Sequence, residues 1–278
     1  MIGDLHCHSK LSDGSCGLDD LVYYAKRAGL DVLAVTDHDT MSGVARAQVL
    51  GKRYGLDIIP GVEISSRDME TGRRVHLLCY FPQKANRLDP LFHKTLSSRN
   101  KAGSIMLERV MKQYPVTQEH VMRYANSSKS IYKVHIMQAL IELGYDNVIY
   151  GKLYKELFSK SSPYSVREPV EYPSVEEVLD YIRIAKGIPV LAHPSVYDSM
   201  DLLERLAKEK KIMGVEVWHP RNKPGEQKKM LELAEEHGLL ITGGSDFHGY
   251  YASNANPLAS CLCMEEDLQK LYKAAESL

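Results

Sequence analysis

No stretch of this 278-residue chain is apolar over the length that a membrane-spanning helix requires, so no helical membrane anchor is expected. Charge enters early, at Asp4, so no secretory leader is read and a cytoplasmic location is expected. Cysteine is sparse: five residues, an odd number, scattered except for Cys261-Leu262-Cys263 and without a Cys-x-x-Cys pair. That removes a zinc knuckle and a dithiol redox site, and leaves the thiols as reduced, buried side chains. Net charge is also nearly absent, −1 at pH 7, so any electrostatic preference must come from local asymmetry.

What is present is a core and an excess of histidine. Hydrophobic residues make up 44% and charged residues 26%, the balance of a globular protein, and the length suits one α/β barrel or two ordinary domains. Several of the 11 histidines stand beside acids at the ends of apolar runs.

Those runs alternate with helical patterns. Short β-rich segments cover 2–5, 32–35, 58–62, 75–80, 189–192, 213–217 and 239–242, and amphipathic stretches at 18–28, 175–186, 202–210 and 226–237 lie between them. Strand and helix in alternation predict an α/β fold with a mainly parallel sheet or barrel. From about Gln83 to Ser165 the rhythm breaks: only helical patterns occur, at 88–112, 117–126, 134–143 and 147–158. This segment reads as an insertion. It carries 13 Lys and Arg against 6 Asp and Glu, a net charge of +7, which leaves −8 for the remainder. A basic helical lobe on an acidic barrel suggests a phosphate-rich substrate, although solvated helix faces would give the same count.

The chain opens on Asp4-Leu5-His6-Cys7-His8, with Asp13 five residues on. Strand alternation would put Asp4, His6 and His8 on one face, as in a metal site or, more blandly, a polar edge strand. The other strand ends decide between them. They carry Thr36-Asp37-His38-Asp39, Gly61-Val62-Glu63, Ala192-His193-Pro194, Glu216-Val217-Trp218-His219 and Gly244-Ser245-Asp246-Phe247-His248. In parallel α/β architectures the carboxyl ends of the strands share one mouth. His76 stands near the start of its strand, but too few residues separate it from Glu63 for a parallel crossover, so this strand is expected to run back and return His76 to that mouth. His6, His8, Asp13, His38, Glu63, His76, His193, Asp246 and His248 are then more donors than one ion uses, and two or three clustered ions are implied. Imidazole and carboxylate donors without thiolate suit zinc, manganese or iron. Glu63 is placed to bridge two ions, while Asp4 and Asp37 are expected to hold imidazoles through their second nitrogen.

The segments DLHCHSKLSDGS, TDHDT, GVEIS, VHLLCY, AHP and GSDFHG resemble the successive motifs of the PHP family, the polymerase and histidinol phosphatase superfamily, over residues 1–82 and about 166–250. The resemblance implies a distorted (β/α)7 barrel with a trinuclear metal centre, and the nine residues above match the family's ligand positions. It further implies a barrel from 1–82 and 166–278, with 83–165 as an all-helical cap. Free-standing members with such an insertion act as 5′-nucleotidases, 3′,5′-nucleotide bisphosphate phosphatases or 5′-3′ exonucleases on short RNA. Where those members often carry Arg-Pro-His, this chain reads Lys133-Val134-His135. Charge is kept, but lysine lacks the bidentate fork of arginine.

The resemblance and the donor chemistry together imply a metal-dependent phosphoesterase that hydrolyses a nucleotide phosphomonoester by attack of a metal-bridging hydroxide. Glu63 and Asp246 would serve catalysis from within the metal set, Lys133 would neutralise phosphoryl oxygens, and His219 or His135 would contact substrate and protonate the leaving oxygen. The expected partner is a nucleotide or short oligonucleotide, with no membrane and no stable duplex nucleic acid; the oligomeric state stays open. Rival readings are a histidinol-phosphate phosphatase, which has no need of the basic insertion, and an inactive PHP binding module, which predicts missing ligands. A further reading takes Tyr114, Tyr124, Tyr132, Tyr145, Tyr150 and Tyr154 as base-stacking platforms, although aromatics at helical spacing are more often core.

Overall fold

The structure, a computed structural model, describes residues 1–252 and 256–278. Among the described residues eight strands, β1 (Ile2–Cys7), β2 (Val32–Val35), β3 (Asp57–Arg67), β4 (Arg74–Tyr80), β5 (Ile188–Leu191), β6 (Gly214–Trp218), β7 (Leu240–Gly243) and β8 (Cys263–Met264), form one sheet. Their spatial order is β7-β6-β5-β4-β3-β2-β1-β8. Within it, β1, β2 and β3 are parallel, as are β5, β6 and β7. As expected, β4 runs antiparallel to β3, and it is antiparallel to β5 as well. The short β8, which the sequence did not suggest, pairs antiparallel with β1. A parallel bridge between Cys7 and Phe247 brings the end of β7 to β1, so the sheet is nearly closed into a barrel.

Six helices alternate with the strands: α1 (Leu18–Arg27), α2 (Val44–Tyr54), and, beyond the insertion, α7 (Val175–Ala185), α8 (Met200–Lys208), α9 (Pro224–His237) and α10 (Glu265–Glu276). In α1 the apolar stripe Leu18, Leu21, Val22 and Ala25 is buried, with Asp19 and Asp20 in the first turn and Lys26 and Arg27 in the last, each sign opposing the helix dipole. One end of the barrel is filled with apolar side chains, among them Leu5, Ala34, Ile59, Leu78 and Val190. Across that plug the Tyr80 hydroxyl donates to the Leu5 carbonyl at 2.8 Å.

Between β4 and α7 the described residues hold no strand, only α3 (Asp89–Met111), α4 (Gln118–Ala125), α5 (Lys133–Glu142), α6 (Lys152–Phe158) and a short 3-10 turn. Helix α3 belongs to two cores. Its early residues Leu91 and Phe92 pack with the barrel cluster of β3, β4 and α7, and its later residues Ala102, Met106 and Val110 pack with α4, α5 and α6. This 23-residue helix therefore ties the lobe to the barrel.

Two glycines let the site close up. A Cβ on Gly14 would lie 2.4 Å from the His8 carbonyl oxygen, and one on Gly244 would lie 2.5 Å from the His6 nitrogen. Only glycine permits these approaches, which fold the Asp13 loop back on β1 and bring the Asp246 loop beside His6.

Candidate metal centre

The nine histidines and carboxylates singled out by their strand-end positions lie together at the open end of the barrel. Glu63, buried on β3, is the hub. Its Oε2 lies 3.2 Å from His6 Nε2, 3.2 Å from His8 Nε2 and 3.1 Å from His38 Nδ1. Its Oε1 lies 2.6 Å from His76 Nδ1 and 2.8 Å from His193 Nε2. Asp246 Oδ1 approaches His8 and His248, each at 3.4 Å, and Asp13 Oδ1 stands 3.3 Å from His248 Nε2. Strained backbone aims some of these groups: His193 has φ 29° and Asp246 φ 52°, both left-handed.

The donor atoms fall into overlapping sets within 4.8 Å of one another: His8, Asp13, His38 and His248; His6, His8, Glu63 and Asp246; His38, Glu63 and His76. Among the described residues, His6 Nε2, His8 Nε2, Asp13 Oδ1, His38 Nδ1 and His193 Nδ1 are buried without a hydrogen-bond partner. Buried polar atoms are seldom left so, and orphaned donors facing carboxylates fit divalent cations.

The electrostatics agree. Burial would raise the Glu63 carboxyl, but the surrounding imidazoles hold it well below the usual carboxylate range. Asp13 and Asp246 are likewise lowered well below it, against burial, by their histidine neighbours. Burial would lower His8, yet hydrogen bonding to Asp246 and Glu63 pushes it up to about 10. Burial prevails at His76, down to about 4. In effect the carboxylates are kept ionised and His76 neutral, the states that bind cations, while a cation beside His8 would replace the proton it otherwise holds.

Asp4 and Asp37 do not hold imidazoles. For Asp4, a register shift between Asp4 and Cys7 interrupts the alternation that would put it on one face with His6 and His8. Asp4 accepts from the Ser245 N–H and hydroxyl and from the Ala259 N–H, bracing the loop that carries Asp246. Asp37 accepts from the Ser9 N–H and from the hydroxyls of Ser9 and Ser12, bracing the loop that carries Asp13.

Over the cluster lies a cavity of about 430 Å³. Asp13, Glu63, His76 and Asp246 line its floor side, and Arg67, Arg74, Arg99, Lys133, Arg167 and Arg221 also line it. Arg99 comes from α3 in the helical lobe. Its Nη2 donates to Asp39 Oδ2 at 2.8 Å and to the Ser65 hydroxyl at 2.9 Å, its guanidinium sits 4.7 Å from the Tyr132 ring, and its buried Nε has no partner among the described residues. Arg74 donates to the Tyr197 hydroxyl at 2.6 Å. Lys133 Nζ stands 5.3 Å from the Phe158 ring; burial, then Arg74, Arg167 and Arg99, lower it to about 8. The sequence reading picked out Lys133 but none of the arginines.

His135 and His219 are placed differently from expectation. His135 is buried and absent from the lining of this cavity; its Nδ1 accepts the Tyr132 N–H at 3.2 Å, capping α5. A histidine three residues after the N-cap is well placed for that bond, which engages Nδ1 alone; Nε2 is buried without a partner among the described residues. His219 lies behind Asp246. Its Nδ1 accepts the Arg221 N–H, so Nε2 carries the proton that faces Asp246 Oδ2 at 3.3 Å. Of the tyrosines, Tyr132 is buried, Tyr114, Tyr124 and Tyr154 pack against the lobe's core, and Tyr145 and Tyr150 are exposed.

A family profile described as the PHP domain matches residues 4–186. The chain is 36% identical over 253 residues to a phosphoribosyl 1,2-cyclic phosphate 1,2-diphosphodiesterase of Eggerthella lenta, covering 90% of this chain and 95% of that protein. It is 30% identical over 256 residues to the 5′-3′ exoribonuclease Rnm of Salmonella typhimurium, covering 89% and 85%. Among solved structures, one from Bifidobacterium adolescentis, named as a candidate metal-dependent phosphoesterase, superposes with a TM-score of 0.87 at 29% identity over 98% of this chain and 96% of that one. No helix among the described residues is long and apolar enough to cross a membrane.

Proposed function

The chain belongs to the PHP domain family of metal-dependent phosphoesterases, and we propose that it hydrolyses the phosphomonoester of a nucleotide, such as 5′-AMP or a 3′,5′-nucleotide bisphosphate, in the cavity over the histidine–carboxylate cluster. The observation that carries this reading is the composition of that cavity. Acids and imidazoles suited to cations share it with five arginines and a lysine suited to a phosphate dianion. Its volume, about 430 Å³, suits a ligand of nucleotide size. By name, one relative acts on a phosphoribosyl cyclic phosphate and the other is a 5′-3′ exoribonuclease, so both point to phosphoesters of ribose compounds as the substrate class.

On this reading His6, His8, Asp13, His38, Glu63, His76, His193, Asp246 and His248 hold two or three divalent ions, with manganese, zinc and iron all compatible with the donors. Such ions supply a deprotonated water near neutral pH and neutralise phosphoryl charge. Glu63 would serve more than one ion, because its two oxygens face different histidines. His219 holds Asp246 Oδ2, so that Oδ1 stays turned to His6, His8 and His248. Arg99 and Lys133 grip the phosphate; residues 83–165 form a cap over a barrel of 1–82 and 166–278, and Arg99 carries the cap's charge into the site.

A second reading, an exonuclease acting on short RNA, has one observation in its favour. Another cavity, of about 710 Å³, shares Tyr150, Tyr251 and Ala252 with the first and is lined by Lys10, Arg123 and Tyr250. Cations and tyrosine rings there suit a following nucleotide. The test is a screen of metal-reconstituted protein against 5′-AMP, 3′,5′-bisphosphates, 5′-phosphorylated oligonucleotides, phosphoribosyl cyclic phosphate and histidinol phosphate. Phosphate release from the mononucleotides is expected. Turnover of oligonucleotides alone would select the second reading, and turnover of the cyclic diester or histidinol phosphate alone would overturn both.

A further inference from the structure

Glu216 on β6 lies outside the nine-residue set, yet it touches two members of it. It is fully buried, and both carboxylate oxygens are engaged: Oε1 lies 2.8 Å from His6 Nδ1, and Oε2 accepts the His193 backbone N–H at 3.0 Å. The far nitrogen of the same ring, His6 Nε2, points at Glu63 Oε2 and Asp246 Oδ1, 3.2 and 3.6 Å away, and has no hydrogen-bond partner among the described residues. In a neutral imidazole one nitrogen donates and the other holds the lone pair. A carboxylate at Nδ1 therefore fixes the proton there and turns the lone pair of Nε2 toward the cluster.

We propose that Glu216 is a positioning residue of the metal centre, holding His6 as the Nδ1–H tautomer with Nε2 free to bind metal while it anchors the backbone of His193. The ligand-bearing ends of β1 and β5 are thereby set by one side chain. His193 needs such an anchor because its left-handed backbone, φ 29°, is not held by regular strand pairing. The inference rests on the cluster being a metal centre, which metal binding by the unaltered protein tests separately.

Glu216→Gln separates positioning from ligation. A glutamine carbonyl can accept from His6 or from His193 but not from both, and its NH2 group opposes whichever donor remains. Zinc or manganese affinity, measured by competition with a chelator, is expected to fall 10- to 100-fold, with full stoichiometry recovered at saturating metal. Loss of one metal equivalent even at saturation would show Glu216 to be a ligand itself, which the proximity of its oxygens to His6 and His193 would permit, and would overturn the proposal. Unchanged affinity would overturn it as well. Should the variant not fold, nitrogen NMR of the unaltered, zinc-loaded protein labelled in histidine reads the tautomer directly. A proton on His6 Nδ1 and metal on Nε2 are expected; the reverse would contradict the assignment, whereas absence of zinc binding would overturn the metal-centre reading on which it rests.

Discussion

Arg99 Nη2 lies 2.8 Å from Asp39 Oδ2, an ion pair in which the arginine comes from the helical lobe and the carboxylate from the loop after β2. Asp39 is fully buried and Arg99 nearly so, and Asp39 also accepts from the Ser65 N–H and hydroxyl. Burial raises the Asp39 carboxyl and Arg99 opposes the rise, so the guanidinium helps keep Asp39 ionised. The pair thus joins lobe to barrel and sets a cation over the cluster.

Arg99→Met is expected to lower stability by about 3 kcal/mol, because it leaves a buried carboxylate without its partner. It should also raise KM for a nucleotide by tenfold or more. The double variant Arg99→Met with Asp39→Asn separates the two effects: thermal unfolding should recover most of the stability while KM stays high. Recovery of KM along with stability would reduce Arg99 to a structural role.

Lys133 supplies a pH dependence. With its ammonium lowered to about 8 by burial and by Arg74, Arg167 and Arg99, Lys133 is charged below that pH and neutral above it. A neutral amine holds phosphate less well, so kcat/KM should fall as pH rises through about 8. Lys133→Arg stays charged throughout and should lose this inflection; the same inflection in both proteins would assign it elsewhere. Lys133→Ala is expected to lower kcat/KM about tenfold on a nucleotide and less on p-nitrophenyl phosphate, which offers the cap fewer contacts.

His135→Ala tests whether that histidine serves fold or substrate. Loss of the bond to the Tyr132 N–H and of buried ring contacts should cost about 2 kcal/mol in thermal unfolding, with KM for nucleotides within about twofold of the original. A large KM increase without destabilisation would return His135 to the substrate site.

The outline of the barrel was legible because its strands are short apolar runs with chemistry at their ends, and the separation of Glu63 from His76 required β4 to turn back. The two-residue β8 left no periodic trace. Asp4 was misjudged because a register shift, invisible in sequence, interrupts β1. Arg99 sits in a long helix with nothing local to mark it, and its role depends on Asp39 and Ser65, distant in sequence. Glu216 stood among the strand-end residues, but only the fold shows that it faces His6 rather than solvent.

Metal stoichiometry and position test the central claim most directly. Crystals of the protein reconstituted with manganese or zinc, measured at the metal's absorption edge, should show two or three anomalous peaks inside the ring of nine side chains, with Glu63 between two of them. In Glu63→Gln one peak and nearly all turnover should disappear. No peak in that ring, a single peak, or three or more of the nine side chains turned away to bulk solvent would contradict the account.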